Sequence, residues 1–377
     1  MKNIKTLEGF GIMLGMIIGA GIFGLPYAFS KAPLQWNLLL FLAVFLISLL
    51  LHFLFAGIIY VTPGRHRFPG YVKKHLGHRA ETIAAIFTIL SSYGTMLAYG
   101  ILGAIFLQNI LGTGFIGNGV TFFILGGLLF FFSLQEIGKI NFYLTVPLLG
   151  FIILLAYKVM PYVDAANFIQ PASPSWFFSY GVLVFALGGY TALPDLHDVL
   201  GHNNRGLSKK IIFWSLLVSA LLYLVLILSV LGVSGAAVTP DALSGLKSVL
   251  GDGAFILGSI IGIFCVFRAY VIFGADLRLT FRYDYRLSLN ASWLLAFLPP
   301  LTLFLMGFFD LVEILSIVGS VGLGVFAIFI LLMVWKKKKE VASFLGFRPQ
   351  LWWLFALGIL IILGASQDLV SIYLWHG

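Results

Sequence analysis

Apolar residues along this chain come in runs of about 20, set apart by short polar segments. A helix of that length crosses the hydrocarbon core of a bilayer. The runs predict spans at Gly9–Phe29, Leu38–Val61, Ile83–Leu111, Val120–Leu134, Phe142–Pro161, Trp176–Leu200, Ile211–Ser234, Ala254–Phe273, Ser292–Phe309, Leu311–Trp335 and Leu351–Leu374, eleven in all. The fourth is short and the ninth and tenth are poorly separated, so the pattern also fits ten or twelve. The two-residue alternation of a membrane barrel is missing. The expected fold class is an all-α polytopic membrane protein.

Two of the spans are interrupted. Gly19-Ala20-Gly21-Ile22-Phe23-Gly24-Leu25-Pro26 lies in the middle of the first, where glycine loosens a helix and proline removes a donor. Gly189-Tyr190-Thr191-Ala192-Leu193-Pro194 repeats the glycine, leucine and proline of Gly21 to Pro26 at an offset of 168 positions. The same offset carries the first span onto the sixth, the third onto the eighth, the fourth onto the ninth and the fifth onto the tenth. Each unit holds five spans, an odd number, so the second unit is inverted relative to the first. Corresponding breaks in two inverted halves point to a transporter binding site near the midplane. The expected organisation is one domain over residues 1–377, with repeat one at about 8–162, repeat two at about 175–336 and an extra helix at about 350–374.

Composition sharpens this picture. The chain of 377 residues is 60% hydrophobic and 10% charged, with a mean hydropathy of +1.05. Those values exclude a soluble globular protein. The net charge of +9 does not indicate nucleic acid, because the charges occupy short loops. With the N-terminus in the cytoplasm, inside loops hold 19 of the 23 Lys and Arg residues, the bias that orients multi-pass proteins. The expected location is a plasma or inner membrane. Lys2 and Lys5 before an apolar run imitate a signal peptide, but the run is long, glycine-broken and without a clear cleavage pattern. The single cysteine, Cys265, rules out an intrachain disulfide and a cysteine-only metal cluster. The longer outside loop, Ala236–Gly253, reads equally as a short helix over the mouth or as plain surface.

A helix broken in the membrane exposes amides at one end and carbonyls at the other, and such groups survive only where they line a cavity or meet a ligand. The amide end suits a carboxylate and the carbonyl end an ammonium or metal cation. Together they suit the head group of a zwitterionic amino acid. Close helix packing at Gly19 and Gly21 is the competing reading.

Gly19-Ala20-Gly21-Ile22-Phe23-Gly24-Leu25-Pro26-Tyr27-Ala28-Phe29 resembles the first-helix signature of the amino acid/auxin permease and hydroxy/aromatic amino acid permease families, within the amino acid–polyamine–organocation superfamily. Phe185-Ala186-Leu187-Gly188-Gly189-Tyr190-Thr191-Ala192-Leu193-Pro194 is similar to the sixth helix of the same group. The resemblance implies a LeuT-type fold of five plus five inverted helices with an eleventh, and secondary transport of amino acids. It implies that Gly19, Ala20, Gly21, Phe185, Gly188 and Gly189 flank the substrate head group, with Ile22 and Ala186 inside the same motifs. It also places the third helix at the site, where Tyr93 and Tyr99 are candidates to hydrogen-bond a carboxylate. Phe23 and Tyr190 are candidates to contact the substrate side chain.

Arg268 lies deep in the eighth span, where charge is costly and marks function. In sodium-coupled relatives, the resemblance implies, a sodium site joins the first and eighth helices. If Cys265, Arg268 and Ala269 share the face toward the first helix, the guanidinium replaces sodium there, favouring proton coupling, exchange or facilitated transport. Pairing with Asp276 or Asp195 is the rival. Asp195 is also a candidate proton carrier, or an inner gate with Lys5 or Arg278, while Lys31 with Asp310 or Glu313 is a candidate outer gate. The chain carries no H-E-x-x-H or G-x-S-x-G motif, and its seven histidines are scattered, so an enzyme is not expected. No cofactor is expected. The expected partners are an amino acid, protons and the lipid bilayer. A transporter of another small solute or a divalent metal, and a non-transporting sensor, are the alternatives.

Overall fold

The computed structural model describes residues 2–131, 137–169, 176–283 and 285–376. The expected end of the fourth span at Leu134 and the start of the second repeat at 175 lie outside these. The chain opens with α1 (Lys2–Ile17) and α2 (Gly21–Phe29), followed by α3 (Leu34–Val61), α4 (Phe68–Leu76), α5 (His78–Leu111), α6 (Phe115–Phe131) and α7 (Ile137–Val159). The second part holds α8 (Ser179–Ala186), α9 (Leu193–Leu200), α10 (Arg205–Ser234), α11 (Lys247–Tyr283), α12 (Leu289–Leu305), α13 (Leu311–Ile317), α14 (Gly324–Lys336), α15 (Lys338–Leu345) and α16 (Leu351–His376). The described residues contain no strand.

Among the described residues, six helical segments are long and apolar enough to cross a membrane, and α1 with α2, bent by 48°, makes a seventh if the pair is one span. The short α6 and α12 are apolar but fall below that length. The sixth expected span appears as α8, a turn at Tyr190–Ala192 and α9. The tenth is α13 and α14 joined through a π-helical segment, Val318–Leu323, which periodicity does not reveal. The loop expected over Ala236–Gly253 contains two short 3₁₀ turns and the start of α11.

Local chemistry sets the ends. The Asp310 carboxylate accepts from the Glu313 amide at 3.0 Å and starts α13. Pro63 pushes Thr62 into extended backbone and stops α3. Gly112 ends α5 in the left-handed region at φ 65°.

The broken helices lie side by side in the centre. α1 packs on α7, α9 and α10, while α2 packs on α8, α10 and α13. Around them α11 packs along α5, α6, α7 and α12. Asn37, wholly buried on α3, ties one end of the pair together. Its Nδ2 donates to Phe29 O at 2.8 Å and its Oδ1 accepts from the Ser179 hydroxyl at 2.7 Å.

Candidate functional site

The first break falls between Ile17 and Gly21, and no side chain caps the start of α2. The last carbonyls of a helix have no partner within it, and here side chains from distant helices supply them. Arg268 Nη2 on α11 donates to Gly15 O at 3.0 Å. The Tyr223 hydroxyl on α10 lies 2.8 Å from Ile17 O, and Cys265 Sγ lies 3.9 Å from Ile18 O. Arg268, Cys265 and Ala269 are all buried, and spacings of three and four put them on one face of α11. That face meets the first helix. The rival acids are engaged elsewhere: Asp276 pairs with Arg67 at 3.2 Å and Asp195 with Arg65 at 3.0 Å.

The second break runs from Leu187 to Gly189. Its carbonyls are also met from outside. The same Tyr223 hydroxyl lies 3.0 Å from Ala186 O, and the Ser48 hydroxyl on α3 donates to Leu187 O at 2.7 Å. One phenol therefore spans the carbonyl ends of both half-helices, α1 and α8. The breaks touch directly, because a Cβ on Gly21 would stand 2.7 Å from Ala186 Cα and 3.1 Å from Phe185 Cδ1. Backbone cannot yield as a side chain can, so only glycine fits at position 21.

The remaining expected site residues divide. A Cβ on Gly19 would meet the Tyr99 hydroxyl oxygen at 2.7 Å, so Tyr99 stands at the first break. Tyr93 does not: its hydroxyl donates to Leu295 O on α12 at 2.7 Å, because six residues turn it away from Tyr99 on the helix. Ala20 and Ile22 are buried, and Phe23 packs edge-on against Phe106 at 5.0 Å. Gly188 faces Leu323 of the π-helical segment. Tyr190 turns toward α3, where its ring lies 4.4 Å from the His52 ring. Asp195 pairs here with Arg65 rather than with Lys5 or Arg278. It is half-exposed and, with Asp198, flanks Arg65 at 3.0 and 2.8 Å. The Arg278 guanidinium instead donates to Phe131 O at the end of α6. Lys31 Nζ lies 4.0 Å over the Tyr27 ring. Partial burial pushes the Lys31 ammonium below the usual lysine range, and Asp310 opposes that shift.

Sequence reasoning missed four residues at or near the breaks: His52, Ser48, Tyr223 and Asp368. His52 is wholly buried on α3, with Nδ1 2.7 Å from Ser48 O. Asp368 is wholly buried on α16. It accepts from the Ser316 hydroxyl at 2.9 and 2.8 Å and from the Gly181 amide at 3.3 Å. A Cβ on Gly319 would come within 1.9 Å of Gly181 O, so the π-helical segment rests on bare α8 backbone beside this carboxylate. An ionisable residue in mid-span was the available signal for both His52 and Asp368. Nothing local marks Ser48 or Tyr223.

A helical bundle with two paired, unwound spans at its centre defines a multi-pass secondary transporter of the LeuT fold. The chain belongs to the tryptophan/tyrosine permease family, whose profile matches residues 2–364. It is therefore a transporter rather than an enzyme. Among solved structures, MhsT in complex with L-phenylalanine superposes with a TM-score of 0.73 at 16% identity, over 97% of this chain and 98% of that one. Mhp1, a nucleobase-cation-symport-1 family transporter in a closed conformation with bromovinylhydantoin bound, superposes with a TM-score of 0.65 at 15% identity, over 98% of this chain and 90% of that one. At those identities the likeness is one of fold. No curated protein matches the chain in sequence.

Proposed function

We propose that the protein is a sodium-independent, proton-coupled or exchanging transporter of neutral amino acids, with aromatic ones favoured by the family to which it belongs. The observation that carries this reading is the meeting of the two breaks, where a Cβ on Gly21 would stand 2.7 Å from Ala186 Cα. It brings the uncapped amide end of α2 beside the carbonyl ends of α1 and α8. A carboxylate fits the first and an ammonium the second. Gly19, Ala20, Gly21, Ile22, Phe23, Tyr99, Phe185, Ala186, Gly188 and Gly189 form the head-group region in this reading. The L-phenylalanine in complex with MhsT is an aromatic amino acid of the class proposed here.

Arg268 supports sodium independence. Its guanidinium lies 3.0 Å from Gly15 O, in line with Cys265 against the end of α1. A permanent cation there supplies the charge that a bound sodium would supply. The reading includes eleven crossings in two inverted units, about 8–162 and 175–336, with α16 as the extra helix. It puts the N-terminus in the cytoplasm of a plasma or inner membrane.

Uptake of labelled tryptophan, tyrosine, phenylalanine and a wider amino acid panel into proteoliposomes tests this. The expected result is accumulation of at least one aromatic amino acid, unchanged when sodium is replaced by potassium. Sodium-dependent uptake would overturn the role of Arg268. Flux of a divalent metal or another solute without amino acid uptake would overturn the substrate class.

A further inference from the structure

His52 sits midway along α3 and points into the second break. A carbonyl only accepts, so the 2.7 Å contact with Ser48 O puts the ring hydrogen on Nδ1 and the lone pair on Nε2. Nε2 has no hydrogen-bond partner among the described residues. A Cβ on Gly189 would stand 3.3 Å from it, and the Tyr190 ring, 4.4 Å away, holds the imidazole in place. Buried polar atoms nearly always find partners, so a wholly buried basic nitrogen without one, aimed at an unwound segment, points to a ligand.

The surroundings say what that ligand is. The end of a half-helix carries negative partial charge and favours a cation. At the first break the guanidinium of Arg268 answers that charge. At the second, Ala186 O and Leu187 O are met by hydroxyls of Tyr223 and Ser48. A small crevice of about 20 Å³, room for about one water, lies between α3, α8, α14 and α16 and reaches Ser48 and Tyr190, the two residues that fix the imidazole.

We propose that Nε2 of His52 is the binding site of the coupling proton, a reading that rests on the proton-coupled transport proposed above. A hydronium ion gives its proton to the Nε2 lone pair: one O–H bond breaks, leaving water, and an N–H bond forms, giving an imidazolium beside the carbonyl end of α8. On release that bond breaks, the electron pair returns to Nε2 and the proton passes to water on the opposite side. Loading thus gives the second break the cation that the first holds permanently.

Other ionisable groups on the helices packed against α3 stand apart from this nitrogen. Tyr190 stacks on the ring, Tyr223 of α10 is engaged with carbonyls, and Tyr180 of α8 lines the crevice. Asp195, His197 and Asp198 of α9, Arg205, Lys209 and Lys210 of α10, Lys336 of α14, and Lys338, Lys339 and Glu340 of α15 belong to the far end of α3. Tyr60 marks that end by packing on His197 and Phe344 at 4.6 and 4.9 Å, about 12 Å along the helix from His52.

The test uses the full chain in proteoliposomes with labelled tryptophan, tyrosine or phenylalanine, whichever accumulates. One proton per substrate means that an inward gradient of about one pH unit raises wild-type accumulation about tenfold. His52→Asn keeps an amide donor for Ser48 O but binds no proton. In that variant the gradient response is expected to fall to about onefold, measured against counterflow exchange, which needs no gradient. A wild type indifferent to the gradient sinks the proton-coupled reading itself. A wild type that responds alongside a His52→Asn variant that responds equally overturns the role of His52, whether or not Asp368→Asn loses the response. If the variant does not fold, ¹⁵N-histidine resonances of the wild type decide, assigned by removing the other six histidines. A His52 resonance that stays unprotonated across the pH range over which uptake changes overturns the proposal, and one that titrates with uptake supports it.

Discussion

The two breaks present the same backbone problem and solve it with different chemistry. At the first, the carbonyl end of α1 meets a guanidinium, a thiol and a phenol, from Arg268, Cys265 and Tyr223. At the second, the carbonyl end of α8 meets two hydroxyls, with the imidazole of His52 behind them. Arginine stays charged under all physiological conditions, whereas histidine changes charge within them. The contrast teaches that two breaks can share backbone geometry without sharing side-chain chemistry. One half is built with a fixed cation and the other with a site that can be filled and emptied.

Removing the fixed cation is expected to have the largest effect. Arg268→Met leaves the α1 carbonyl end without its charged donor; an unmet buried acceptor costs about 1–3 kcal/mol, and the fixed positive charge at the break is lost as well. Uptake should drop to background in the proteoliposome assay, with Arg268→Lys recovering part of it. A fully active Arg268→Met variant would remove the difference between the breaks.

Gly21→Ala comes next. The added methyl would lie 2.7 Å from Ala186 Cα, and overpacking of this kind costs about 1–3 kcal/mol. Uptake should fall about tenfold or more, the rate equivalent of about 1.4 kcal/mol, with a lower thermal midpoint. Unchanged uptake would show that the breaks separate more freely than their contact implies.

Tyr223→Phe removes the single hydroxyl that serves both breaks. Leaving buried carbonyls unmet costs about 1–3 kcal/mol, to be read as a lower melting temperature together with slower counterflow exchange. An effect on stability without one on exchange would make Tyr223 a structural bridge only.

Asp195→Asn is expected to do least. Its pair with Arg65 joins two side chains 53% and 73% exposed, and exposed pairs contribute about 0–1 kcal/mol. Uptake should stay within about twofold of wild type. A loss comparable to that of Arg268→Met would return Asp195 to the transport cycle.

Much of the fold was legible in one dimension. Long apolar runs located α3, α5, α10 and α16 to within a few residues, because the cost of exposing backbone to lipid leaves a hydrophobic segment little choice but helix. The glycine and proline motifs located both interruptions for the same local reason. The site was legible only in its backbone. Arg268 stood out as a charge in an apolar span, and spacing put it on one face with Cys265 and Ala269, but only packing turns that face toward α1. His52 and Asp368 carried the same signal and were passed over, the first among scattered histidines and the second in the helix outside the repeats. Tyr93 and Tyr99 point in different directions on α5, but which of the two faces the first break depends on how α5 packs against its neighbours.

Membrane insertion, helical class and the two interruptions follow from hydropathy, residue type and spacing, which act over one or two helical turns. The partners of the broken ends do not. Gly15 meets Arg268 across 253 positions, Ile17 meets Tyr223 across 206 and Gly181 meets Asp368 across 187. Orphan carbonyls need donors, but which helix supplies each donor depends on packing between surfaces that only the assembled bundle brings into contact.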